Sequence, residues 1–79
     1  MSALRFADGV GTLAADVRRA IESGATTVTV DLDGVAYIDP TGLRAVAAAV
    51  DVARAAGATL HLERAEPAVY KALHIARLV

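Results

Sequence analysis

The residues best placed to do chemistry in this chain are Asp39-Pro40-Thr41-Gly42-Leu43-Arg44. A carboxylate, a hydroxyl and a glycine gather there, where the end of an extended stretch meets the start of a helical pattern. Pro40 forces Asp39 out of the helical region and suits a helix's opening turn, so a helix is expected to begin close to Thr41. At such a start the amides of Gly42, Leu43 and Arg44 favour anions by geometry and dipole. The Thr41 hydroxyl can then act as a helix cap or as a phosphoacceptor, and Asp39 can accept loop amide hydrogen bonds. Gly42 reads as structural, permitting close backbone approach or entry into the helix. Arg44 is out of place, because a cation in the first turn opposes the helix dipole by a few tenths of a kcal/mol and up to about 1. An anion nearby would relieve it.

Elsewhere the inventory for catalysis is thin: two histidines, Ser2 and Ser23 as the serines, Lys71 as the sole lysine and no cysteine. An enzyme is not expected. His61 and Glu63 share a strand face and His74 falls on the last helical pattern, so a three-ligand metal site can be drawn. Without a close His pair or motif spacing, however, solvated histidines are the expectation, with no metal and no cofactor. Gly9-Val10-Gly11 lacks a third glycine and a long preceding strand, and reads as a turn.

Seventy-nine residues with 8 basic and 9 acidic side chains make one domain, 1–79, of net charge −1. The basic residues are scattered, so nucleic acid is not an expected partner. The longest uncharged runs, 23–30 and 55–62, fall far short of the roughly 20 residues a membrane helix needs. The start, MSALRFADG, has no secretory pattern. Absence of cysteine fits a reducing compartment, and the cytoplasm is the expected location. With 56% hydrophobic residues, 4% aromatics and 19 alanines, the core must be built from Val, Leu, Ile and Ala.

The elements that must position the 39–44 segment follow from periodicity. Leu4 to Phe6 reads as a short strand, with Asp8-Gly9 and Gly11 as a turn. From Thr12, a candidate cap, Leu13, Val17, Ala20 and Ile21 form a helical stripe stopped by Gly24. Residues 27–32 switch to period two, with Val28, Val30 and Leu32 on one side and Thr27, Thr29 and Asp31 on the other. Asp33-Gly34 makes a turn and 35–38 a short extended piece. The next helix runs to about Ala56, with Leu43, Val46, Ala47, Val50 and Ala53 inward and Gly57 as its stop. Residues 58–63 alternate again with Leu60 and Leu62 inward, and a last helix opens at Pro67 with Val69, Leu73 and Ala76 on one face. This order is an α/β pattern with crossover connections, and the polar alternation leaves one sheet face only partly covered.

The run V-D-L-x-G-V-x-x-I-D at 30–39, the following Thr41-Gly42-Leu43, A-x-x-A-G-A-x-L-x-L at 53–62 and P-A-V before a terminal apolar helix together resemble the STAS domain family, over roughly residues 27–78. The resemblance implies a small STAS fold: a mostly parallel mixed sheet of about four strands with helices mainly on one face. It also implies a non-catalytic protein-interaction module. In the anti-sigma factor antagonist branch, the motif carboxylate matches Asp39 and the phosphorylated hydroxyl matches Thr41. Asp39, Pro40, Thr41, Gly42, Leu43 and Arg44 would then meet the partner, an anti-sigma factor that is also a GHKL-type serine kinase. Phosphorylation adds about −1.5 to −2 charges beside Asp39. Each unit of like charge at about 5 Å and an effective dielectric near 20 costs about 3 kcal/mol before screening.

Three departures stand out. Pro40 replaces a small hydroxyl residue, Arg44 stands where a small residue is common, and the Gly-Glu-Leu-Asp hairpin expected before the first helix is missing. The N-terminal part is therefore read as shortened. The sheet then has an open edge, which leaves room for a homodimer. Two alternatives accompany the antagonist reading: a STAS subunit of a bacterial phospholipid-transport ABC system that binds its ATPase, and an engineered or minimal STAS scaffold.

Overall fold

The structure is a computed structural model that describes residues 2–6 and 10–78. The turn expected at Asp8-Gly9 lies outside the described residues. Strand β1 (Ser2–Arg5) leads through a 3-10 turn (Val10–Thr12) into helix α1 (Leu13–Glu22), then β2 (Thr27–Asp31), α2 (Pro40–Ala55), β3 (Thr59–Glu63) and α3 (Pro67–Ile75). The strands form one sheet in the order β1-β2-β3, and both pairings are parallel.

This corrects the expected four-stranded mixed sheet: among the described residues there are three strands, none antiparallel. The stretch 35–38 forms no strand. Its chain reverses first, through a turn in which the Val35 N–H donates to the Leu32 carbonyl at 3.1 Å. Gly34 takes a φ of 82° there, a conformation that glycine adopts without penalty.

Register explains why the helices gather on one face. Val28 aligns with Leu60, and Val30 with both Leu4 and Leu62, so the apolar side chains form continuous rows. Val28, Val30 and Leu32 are fully buried beneath Leu13 and Val17 of α1, Val46, Ala49 and Ala53 of α2, and Val69 and Leu73 of α3. The inward row of α2 is Gly42-Val46-Ala49-Ala53, with Ala49 in the place expected for Ala47, which is half-buried. Ala76, expected on the inner face of α3, is exposed because the helix has already ended at Ile75.

The opposite sheet face carries Arg5, Asp31, Glu63, His61 and three threonines. Only Thr29, at its centre, is buried, at 8% exposure. No helix of the described residues is long and apolar enough to cross a membrane.

One ion pair ties this open face together. Arg64 follows β3 with a left-handed backbone, φ 56°, and its guanidinium pairs with the Asp31 carboxylate. Asp31 also accepts the backbone N–H of Asp33 at 2.9 Å. That amide first, and the Arg64 guanidinium second, hold the Asp31 carboxyl below the usual carboxylate range. A carboxyl lowered on folding stabilises the fold above its unfolded pKa, and the contribution is lost as pH falls through the folded value. Acid titration of stability should therefore be steeper below about pH 4 in the native chain than in Asp31→Asn. The gap between the two, measured by urea denaturation, should close as Asp31 protonates; parallel curves would refute this.

Candidate functional site

The segment 39–44 sits where the turn after β2 delivers the chain into α2. Asp39 has an extended backbone, φ −88° and ψ 174°, and is the N-cap of α2 with Pro40 at the first helical position. Its Oδ1 accepts the Gly42 N–H at 2.7 Å, and its carbonyl accepts the Leu43 N–H at 2.9 Å. A carboxylate cap satisfies an otherwise orphaned amide and contributes about 1 kcal/mol.

In this arrangement the cap of α2 is Asp39, and the capping role expected of Thr41 is not filled by it. Thr41 lies inside the first turn with an exposed side chain. The arrangement also changes the expectation that the Gly42 and Leu43 amides would be available to an external anion, since Asp39 occupies both. Asp followed by Pro is itself a cap-then-first-turn signature, and that signal was present in the sequence.

Gly42 is buried for a packing reason. A Cβ there would lie 2.8 Å from Ile38 Cγ1, 3.2 Å from the Phe6 ring tip and 3.3 Å from Asp39 Oδ1. The helix start is thereby pressed against Phe6, the residue that follows β1, which is 5% exposed. Leu43 is half-buried and packs against the core.

Arg44 is exposed, and its Nη2 donates to Thr41 Oγ1 at 3.5 Å, the long limit of a hydrogen bond. Beside these residues an open groove of about 440 Å³ is lined by Phe6, residues 35–39, Thr41 and Gly42. Tyr37 on its rim is 74% exposed. Phe6 and Tyr37 were not singled out from the sequence. Nothing in local spacing links residue 6 to residue 42, and an aromatic between Ala36 and Ile38 reads as part of an extended apolar run.

The other candidates stay apart. His61 and Glu63 point to the open sheet face as expected, but His74 is on α3, where its ring stacks on Tyr70 with centroids 6.4 Å apart. Among the described residues no group of three or more His, Asp or Glu side chains is placed to hold a metal ion. Thr12 stands at the cap position of α1 but its hydroxyl donates to the Asp16 carboxylate at 3.0 Å rather than capping.

No curated protein and no solved structure matches the chain. A family model described as "Mlab, STAS domain" matches residues 6–79. That match spans every element after β1, including the Asp39 cap, Thr41 and the groove beside them, and the chain belongs to the STAS domain family.

Proposed function

We propose that this chain is an anti-sigma factor antagonist, a non-catalytic STAS module that binds a GHKL-type anti-sigma kinase and is released when Thr41 is phosphorylated. The observation that carries the reading is that Asp39 has taken over the capping of α2, which leaves the Thr41 hydroxyl exposed on the rim of a groove beside Tyr37. A hydroxyl needed for capping would be costly to modify, and this one is not so engaged. In the proposed step the terminal phosphoryl group of ATP passes to Thr41 Oγ1. ADP leaves, and the hydroxyl proton goes to the kinase's base.

The unmodified surface of Asp39, Pro40, Thr41 and Arg44, with the exposed Tyr37 ring and the half-buried Leu43, has the character of an interface anchor ringed by polar groups; Gly42, expected to meet the partner, is buried beneath this surface and supports it instead. Placing a phosphate at its centre adds charge where the partner had fitted a neutral hydroxyl. A second reading is favoured by the wording of the family description, "Mlab, STAS domain". It makes the chain the STAS subunit of a bacterial phospholipid-transport ABC system, bound to the ATPase. Tyr70 and Ile75, 56% and 71% exposed on α3, would then contribute to docking.

Intact-protein mass measurement after affinity capture from the native cell, comparing the native chain with Thr41→Ala, separates the readings. A species heavier by one phosphate in the native chain alone, with a co-captured GHKL-type kinase, supports the antagonist reading. An unmodified chain that brings down a transporter ATPase equally well in both forms overturns it in favour of the second.

A further inference from the structure

We propose that Arg44 is the built-in counter-ion of phosphorylated Thr41, a clamp that holds the modified side chain against its own helix. The inference rests on Thr41 as a phosphoacceptor and adds what happens to the group once attached.

In the unmodified chain Arg44 is poorly used. It is the fifth residue of α2, in the N-terminal half where the helix dipole gives a cation no support, and its side-chain hydrogen bond among the described residues is the 3.5 Å contact to Thr41 Oγ1. Among the described residues its charge is matched by no ion pair, as is also the case for Arg5, Arg18, Arg54, Lys71 and Arg77; what sets Arg44 apart is that its guanidinium is directed at a hydroxyl. The Asp39 carboxylate, the nearest acid along the chain, is turned to the Gly42 amide.

A phosphate on Thr41 changes the account. It would set three strong acceptor oxygens where a single weakly bonded hydroxyl oxygen stood, within reach of a guanidinium already directed at that atom. Because the anion is covalently tethered, no separate binding site has to be built for it. The Gly42 and Leu43 amides are already taken by Asp39, so the side chain of Arg44, three residues on and on the same helix face, supplies the charged donor that meets it. The clamp would also draw Arg44 away from any partner that reads it in the unmodified state, so that one modification alters two contacts.

The test installs phosphoserine at position 41 by genetic code expansion, which needs no kinase, in chains carrying Arg44, Arg44→Lys or Arg44→Ala. Phosphorus NMR then follows the second ionisation of the phosphate. Asp39 and Tyr37, the other titratable groups at this site, are common to all three chains, so the comparison isolates position 44. With Arg44 the midpoint should lie about half a unit below that of Arg44→Ala, a shift reduced from the buried case by solvent screening. Lysine should recover part of it. Equal midpoints in the Arg44 and Arg44→Ala chains would overturn the clamp, whether or not cells phosphorylate Thr41. Absence of phosphate in the captured native protein would instead remove the antagonist reading while leaving the clamp measurement intact.

Discussion

Replacing Gly42 with valine should lower folding stability by roughly 3 kcal/mol, a shift of more than about 10 °C in the thermal midpoint of a domain this small. The first side-chain atom alone would lie 2.8 Å from Ile38 Cγ1 and 3.2 Å from the Phe6 ring. Cγ1 is in the middle of the isoleucine side chain, so it cannot swing aside without turning the whole residue. Phe6 is buried and has little space to yield. Forcing extra volume into such a contact costs about 1–3 kcal/mol. The same atom would lie 3.3 Å from Asp39 Oδ1 and push the carboxylate off the amide it caps, adding about 1 kcal/mol. Relief from removing a helical glycine is at most about 1 kcal/mol and less for a β-branched residue. Urea denaturation would measure the loss; an unchanged midpoint would show that the 38–42 loop moves freely away from Phe6. Partner capture should fall with stability, because the groove beside Thr41 is built from this same contact.

Leu73→Ala is expected to cost about 2–5 kcal/mol, against a total of about 4–12 kcal/mol for a chain of this length. Helix α3 is held chiefly by two fully buried side chains, Val69 and Leu73. Truncating one of them leaves a cavity in the core cluster or frees the helix to lift away. Ile75→Ala, at a 71% exposed position two residues further on, should change stability by no more than about 0.5 kcal/mol. Thermal melts of the pair distinguish burial from helix propensity, since both changes put alanine into the same helix. Similar losses in the two variants would contradict the packing described.

The three helices and the two stronger strands were legible in the sequence because their contrasts are sharp: Val-Thr alternation at 27–30, Leu-His-Leu at 60–62, and glycines at 24 and 57 after the first two helices. The inward row of α2 was harder to read. Residues 47–49 are all alanine, so periodicity has nothing to choose between, and only contact with the sheet selects Ala49. The missing fourth strand has a different cause. Residues 35–38 have a strand's composition, but Gly34 and the Pro40 helix start bracket them too closely to reach a sheet neighbour. At the site, residue types pointed to the wrong cap. Asp39 outcompetes Thr41 because its oxygen is three residues before the Gly42 amide, the geometry a capping side chain requires. The Phe6–Gly42 contact joins residues 36 positions apart and leaves no trace in local pattern.

The sheet order β1-β2-β3 has a consequence for how the chain reaches its native state. Each strand pairs with its neighbour in sequence, so no edge has to be held open for a segment made much later, as a sheet with interleaved strand order demands. During synthesis β1, α1 and β2 can emerge together, yet they cannot close: Val46, Ala49 and Ala53 of the core cluster belong to α2. The step that commits the molecule is therefore the docking of α2 beside α1 over the sheet, and the Asp39 cap is the point from which that helix can be nucleated.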